Sequence, residues 1–100
     1  MLNQQTILQT LKRHRIGIKE CGVRKLALFG SYARGNAKKG SDIDFLVEFN
    51  KGRGLFDDYT RLRRILHTVL KREIDLVKPT LIREELREAI QRGKKIEAEL

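Results

Sequence analysis

Two aspartates separated by a single residue, Asp42 and Asp44, are the first sign of chemistry in this sequence. Apolar and acidic residues alternate around them, which predicts a strand over residues 42–49. Side chains alternate along a strand, so both carboxylates project from one face, about 7 Å apart at their Cα atoms. Such a pair repels unless a cation lies between the two groups, and carboxylate oxygens suit Mg²⁺. The alternative is a solvated strand face whose counter-ions are basic residues between positions 34 and 39.

A third carboxylate, Asp75, lies in the centre of a short apolar segment, residues 73–77, which predicts another strand. An unpaired carboxylate would be costly to bury there. If this strand lies beside residues 42–49, Asp75 joins Asp42 and Asp44 on one face of the sheet. Three carboxylates on a rigid sheet could hold two Mg²⁺ ions, which would bridge a triphosphate and neutralise charge on the transferred phosphorus.

Gly30 and Ser31 directly follow residues 23–29, an apolar run that predicts a buried strand. A glycine after a strand lets the backbone approach a phosphate closely, and a serine there offers its hydroxyl and neighbouring N–H groups to an anion. A Gly-Ser step alone is usually only a turn. Together with Arg34, Ser41 and the three aspartates, it favours a phosphate-binding site.

The remaining patterns predict the elements that position these residues. Asn3 is expected to cap a first helix, which Gly17 breaks or bends. Residues 31–40 are small, basic and glycine-punctuated, which predicts a loop with one helical turn. Helical spacing of apolar residues predicts helices over 55–70 and 81–91. The resulting order predicts an α/β fold in which helices pack on a small mixed β-sheet.

The composition indicates one small basic domain over residues 1–100. Of these residues, 40% are hydrophobic and 35% are charged, enough for one modest core. Lys and Arg number 22 against 13 Asp and Glu, and the net charge of +9 attracts polyanions such as nucleic acid, nucleotides or an acidic partner. A solubilising basic surface explains the same charge equally well.

The expected location is the cytoplasm. No apolar run approaches the roughly 18 residues of a membrane helix, and the first residues lack the apolar core of a secretory signal. Cys21 is the single cysteine, which excludes an intramolecular disulfide and a Cys-based zinc site.

The segments GSYARG (30–35), SDIDFLV (41–47) and IDLV (74–77) together resemble the motifs of the minimal nucleotidyltransferase family, within the polymerase-beta-like superfamily. The resemblance extends over residues 23–77, more than half of the chain. It implies that Asp42 and Asp44 bind two Mg²⁺ ions. Asp75 would complete the first metal site and help to activate an acceptor hydroxyl as a general base.

The same resemblance implies a nucleotide-binding set. Gly30 and Ser31 would hold the phosphates of ATP, and Arg34 and Ser41 belong to the same set. The substrate implied is ATP, whose AMP moiety would be transferred with release of pyrophosphate.

The family resemblance also implies a partner. Members resemble antitoxins that work beside a helical HEPN-type RNase toxin, so the expected acceptor is a hydroxyl side chain of that toxin, a tyrosine first of all. Two alternatives stay open: a non-catalytic binding module that neutralises its partner by complex formation, and an enzyme that adds nucleotides to RNA. A homodimer is compatible with exposed apolar residues on the terminal helices.

Several other side chains are expected to be structural. Cys21 is expected to be half-buried, and Tyr59 is expected to lie in the core. Asp57 and Asp58 fall in the first turn of helix 55–70, where they favour the helix dipole and can pair with Arg61.

Overall fold

The structure is a computed structural model that describes residues 2–79 and 93–100. Its helices and strands are α1 Gln4–Arg13, α2 Arg15–Glu20, β1 Val23–Phe29, α3 Gly30–Arg34, β2 Ile43–Phe49, α4 Phe56–Leu70, β3 Ile74–Val77 and β4 Ile96–Glu97. The helix predicted over 81–91 lies outside the described residues. No helix in these two ranges is long and apolar enough to cross a membrane.

The strands form one mixed sheet in the order β3-β2-β1-β4. Strand β1 is antiparallel to both β2 and β4, whereas β2 and β3 are parallel. A parallel pair needs a crossover between its strands, and α4 supplies it. The predicted α/β fold with a small mixed sheet is confirmed.

Alternation along β2 divides the sheet into two faces. Ile43, Phe45 and Val47 are fully buried on the face that α1, α2 and α4 cover. The helices contribute a matching set of buried apolar side chains: Ile7, Leu11, Ile18, Leu62, Leu66 and Leu70. The opposite face, called here the carboxylate face, carries Asp44 and Glu48 of β2 and Asp75 of β3.

The first helix begins as predicted but ends elsewhere. The Asn3 side chain accepts a hydrogen bond from the Thr6 N–H at 2.9 Å, so the predicted cap is present. The break between α1 and α2 is at His14, not at Gly17, which lies inside α2. A single helical glycine costs only about 1 kcal/mol relative to alanine, whereas the backbone of His14, with φ −106° and ψ +17°, departs from α-helical geometry.

The outer edge of β3 is closed by side chains of α4. The Ile74 carbonyl accepts from Nε of Arg63 at 3.2 Å, and the Leu76 carbonyl accepts from the hydroxyl of Tyr59 at 2.8 Å. Tyr59 is therefore half-buried, with its ring on the core and its hydroxyl on the strand. Neither carbonyl remains open to pairing with a further strand.

The entry to α4 differs from the sequence prediction in its ion pair. Asp58 pairs with Arg53, not with Arg61, and accepts from Nε at 2.8 Å and Nη2 at 2.9 Å. The Gly54 N–H also donates to Asp58, at 2.9 Å. These hydrogen bonds, with that of Arg53 first, hold the pKa of Asp58 far below its usual range.

Burial differs from expectation at two places. Cys21 is fully buried rather than half-buried, because the turn after α2 packs it into the core. Leu55 and Phe56 are the first two of the apolar residues whose spacing predicts helix 55–70, yet they are 76% and 80% exposed, because they precede the part of the helix that packs on the sheet.

Candidate active site

Asp44 and Asp75 face each other on neighbouring strands. They are partners in the parallel register of β2 and β3, whose backbones lie about 4.8 Å apart. Phe29, the last residue of β1, is the partner of Asp44 on its other side. The structure thus brings together two of the three predicted carboxylates where β1 ends and β3 begins.

The two carboxylates are electrostatically coupled. Burial raises the pKa of Asp44, and the charges of Asp75 and Asp42 raise it further, while Arg34 acts in the opposite direction. Negative charge therefore accumulates here without full neutralisation by the chain's own cations.

Asp42 and Asp75 are both exposed. Asp42 immediately precedes β2 rather than lying within it, and it remains near enough to influence the pKa of Asp44. Asp75 was expected in a buried setting. Because β3 is an edge strand and Asp75 points to the carboxylate face, it meets solvent instead.

The aspartate oxygens at this site suit a Mg²⁺ ion that substrate phosphates also bind, rather than an ion held by protein side chains alone. Within residues 2–79 and 93–100, no three His, Cys, Asp or Glu side chains are arranged to hold a metal ion by themselves. Mg²⁺ commonly takes only one or two carboxylates and completes its octahedron with phosphate oxygens and water. A close carboxylate pair whose repulsion raises a pKa is suited to that role.

Gly30 has no space for a side chain. Its φ of +75° is a left-handed conformation, and a Cβ added there would overlap Oδ2 of Asp44 and lie 3.0 Å from its Cγ. Only glycine allows the chain to leave β1 and enter α3 this close to Asp44. The sequence had suggested that this glycine allows a phosphate to approach, and the structure adds contact with a carboxylate.

Helix α3 holds the other predicted phosphate-binding residues. Ser31 is half-buried in its first turn, and Arg34, at its last position, is exposed. Tyr32 and Ala33 are buried between them and attach α3 to the core. The side chain of Gln4 in α1 donates a hydrogen bond to the Ala33 carbonyl, a contact that no sequence pattern indicated.

Ser41 has a local role in this structure. Its hydroxyl accepts from the Lys38 N–H at 3.0 Å, and its own N–H donates to the Lys38 carbonyl at 2.9 Å. These bonds close the turn that leads into β2. Of the four predicted nucleotide-binding residues, Gly30, Ser31 and Arg34 share α3, whereas Ser41 lies in this turn and its hydroxyl accepts one hydrogen bond there.

Comparisons with known proteins agree with this geometry. The profile of the family described as "Nucleotidyltransferase domain" matches residues 7–99. MJ0435 of Methanocaldococcus jannaschii, provisionally named a protein adenylyltransferase, is 48% identical over 56 residues, which are 56% of this chain and 59% of that protein. The protein adenylyltransferase MntA of Thermococcus cleftensis is 38% identical over 78 residues, 77% of this chain and 78% of MntA.

Solved structures show the same fold. A provisionally named minimal nucleotidyltransferase superposes with a TM-score of 0.69 at 35% identity, covering 87% of this chain and 92% of its own. A chain of a toxin-antitoxin crystal structure with AMP-PNP superposes with a TM-score of 0.59 at 28% identity, over 85% of this chain and 64% of its own.

Proposed function

This chain belongs to the nucleotidyltransferase domain family, and we propose that it transfers AMP from ATP to a hydroxyl group of a partner protein with the help of Mg²⁺. The family resemblance drawn from its motifs is confirmed, as is the enzyme class, a nucleotidyltransferase. The observation that carries the finer proposal is the registered pair Asp44 and Asp75 beside Gly30, at the start of α3.

The phosphates of ATP would lie against α3. Gly30 and Ser31 supply closely approachable backbone and a hydroxyl, and Arg34 supplies a positive charge that already acts on Asp44. The Ser41 hydroxyl accepts from the Lys38 N–H, which leaves its own O–H free to donate to a phosphate oxygen. The exposed Lys39, next to this turn, adds to a positive field that favours a polyphosphate.

Asp42, Asp44 and Asp75 would hold Mg²⁺, with two ions as the expected number. When bound, Mg²⁺ neutralises charge on the phosphates and fixes their orientation. The proposal is supported by the raised pKa of Asp44, which burial causes first and the charges of Asp75 and Asp42 increase. A bound cation would stabilise the ionised carboxylate against both effects.

The reaction needs a nucleophile in line with the leaving group. The acceptor hydroxyl oxygen forms a bond to the α-phosphorus of ATP, and the bond from that phosphorus to the bridging oxygen of pyrophosphate breaks. The hydroxyl proton passes to a carboxylate, for which Asp75 is the candidate. Asp75 is exposed, so a hydroxyl on a macromolecule can reach it.

The proposed partner is a HEPN-type RNase toxin, with this chain as its antitoxin. Support comes from MntA, which is named a protein adenylyltransferase, and from the similar chain that belongs to a toxin-antitoxin structure with AMP-PNP. A tyrosine is the expected acceptor. The net charge of +9 favours RNA as the second candidate substrate.

The test uses α-³²P-labelled ATP, Mg²⁺, this chain and a purified HEPN-type protein. We expect label on the HEPN-type protein with the parent chain, and none with Asp42→Asn or Asp44→Asn. Asp57→Asn is the matched control, because Asp57 is also exposed but lies on α4. Full activity of Asp44→Asn would refute the metal assignment.

The remaining outcomes separate the alternatives. Label on added RNA, in place of protein, would favour the RNA-tailoring enzyme. Binding of the HEPN-type protein with no transfer, unchanged in Asp44→Asn, would favour the non-catalytic binding module.

A further inference from the structure

Leu55 and Phe56 form an exposed apolar pair at the start of α4. Their side chains are 76% and 80% exposed, and they line a groove of about 470 Å³ along the end of β3. We call this the β3 groove, and its lining residues are Leu55, Phe56, Tyr59, Leu76, Val77 and Lys78. Single exposed hydrophobic residues are ordinary, but an adjacent pair that borders a groove marks an interaction site.

The β3 groove is close to the carboxylate pair. Val77 follows Asp75 by two residues, so the two side chains share one face of β3 with Cα atoms about 7 Å apart. A polypeptide lying in the groove thus has its neighbouring residues within reach of Asp75. No second copy of this face is required to bring a hydroxyl there.

Strand addition at this edge would compete with existing hydrogen bonds. The carbonyls of Ile74 and Leu76 already accept hydrogen bonds from Arg63 and Tyr59. Recognition of a partner through its side chains is therefore favoured over extension of the sheet. The apolar lining favours insertion of an apolar side chain.

Lys78, which lines the β3 groove, makes its contacts within this chain. The Lys78 ammonium lies 5.4 Å from the ring centroid of Phe49 and 5.8 Å from that of Tyr59, and it donates to the Gly54 carbonyl. With Lys78 held in this way, the groove offers little to a phosphate backbone. A protein surface fits it better than RNA.

We propose that the β3 groove docks the acceptor protein, which inserts an apolar side chain beside Phe56 while its hydroxyl reaches Asp75. This inference rests on the proposed protein adenylyltransfer.

The test measures binding apart from catalysis. The Asp44→Asn chain, which is expected to transfer no AMP, is titrated by calorimetry with a purified HEPN-type protein. Adding Phe56→Ser should weaken binding about 30-fold, as expected for loss of an aromatic anchor. Adding Ile16→Ser should leave it unchanged, because Ile16 is 68% exposed but lies on α2. Both exposed substitutions are expected to leave folding intact.

Transfer is then measured in chains that retain Asp44. Phe56→Ser should raise KM for the HEPN-type protein while the affinity for Mg²⁺-ATP stays at the parental value. Failure of the HEPN-type protein to bind, or equal binding by the Phe56→Ser and Ile16→Ser chains, would overturn the docking proposal. So would a homodimer of the parent chain that Phe56→Ser dissociates, since a second copy would then occupy the groove. Phe56-dependent binding without any transfer would reject the catalytic function and leave the docking site in place.

Discussion

Gly30 lies against the carboxylate of Asp44, with no room for a side chain between them. The contact joins the end of β1 to the start of β2, at the position where α3 begins. It therefore fixes the carboxylate relative to the proposed phosphate-binding turn. Geometry of this kind is sensitive to small displacements, because a shift of about 1 Å in a catalytic arrangement can cost 10²-fold in rate.

Gly30→Ala should reduce AMP transfer at least about 100-fold. The new methyl group would displace Asp44, and the left-handed backbone at Gly30 adds strain. Gly35→Ala is the matched control, because Gly35 has a φ of +77° but nothing within 4 Å of an added Cβ. It should lose about 1 kcal/mol of unfolding free energy from strain alone and keep most activity. Equal transfer rates in the two variants would argue against a role for the Asp44 contact.

Asp44→Asn should stabilise the metal-free protein while abolishing transfer. The substitution removes a carboxylate whose pKa is raised by burial, by Asp75 and by Asp42, and relief of a like-charge cross-strand pair is worth up to about 1 kcal/mol. Thermal unfolding in EDTA would measure the gain, with Asp57→Asn as the control that should show none.

The gain from Asp44→Asn should depend on pH in a defined direction. A carboxylate with a raised folded-state pKa destabilises the fold only when ionised, so the two proteins should converge below the unfolded pKa of about 3.9. The difference should grow as the pH rises through the folded-state pKa of Asp44. A difference that stays constant from pH 3 to 8 would contradict this account.

Asp58→Asn should lower the melting temperature at neutral pH. Asp58 accepts three hydrogen bonds, two from Arg53 and one from Gly54, and Arg53 also donates to the Glu20 carbonyl. The lowered pKa of Asp58 means that its contribution is complete above pH 3.9 or so and is lost as the pH falls further. Parent and variant should therefore converge in acid.

A surface ion pair provides the control for Asp58. Arg24 and Glu48 lie 3.0 Å apart with both side chains well exposed, so Glu48→Gln should change the melting temperature little. A loss in Glu48→Gln as large as that in Asp58→Asn would show that the Arg53 network has no special role.

Cys21 should react with a thiol reagent only when the chain unfolds. It is fully buried, so the reagent cannot reach it in the folded state. Burial also raises the pKa of its thiol, which keeps the sulfur in the unreactive thiol form. Labelling by DTNB at pH 8 should proceed at about 10⁻³ or less of the rate in guanidinium chloride. Comparable rates in both conditions would place Cys21 at the surface.

Much of the sheet was predictable, because alternation marks β2 and short apolar runs mark β1 and β3. The β1 bounds predicted, residues 23–29, match Val23–Phe29, and β2 begins one residue later than predicted. The approach of Asp75 to Asp44 was predicted on the condition that their strands are neighbours, which they are. Strand β4 was not predictable, because a two-residue segment has no period and exists only through pairing with β1.

Exposure and partner choice were less predictable, because they depend on how the elements pack. Helical spacing placed Phe56 on the apolar stripe, yet it lies outside the core. Arg61 follows Asp58 by three residues on α4, and this spacing predicted an ion pair between them. In the structure Asp58 pairs instead with Arg53, which lies before the helix. The roles of Ser31, Arg34 and Ser41 toward a nucleotide stay predictions.

The division of β2 between two faces has a consequence for how this protein can change over generations. Ile43, Phe45 and Val47 hold the core, while the residues between them point to the carboxylate face. Alternate positions of β2 therefore carry different constraints, one set from packing in the core and the other from the contacts of the carboxylate face. Substitutions on the carboxylate face, away from the aspartates, can change what this face contacts without loss of the fold. Descendants of one small ancestor could thus act on new targets while keeping the same scaffold.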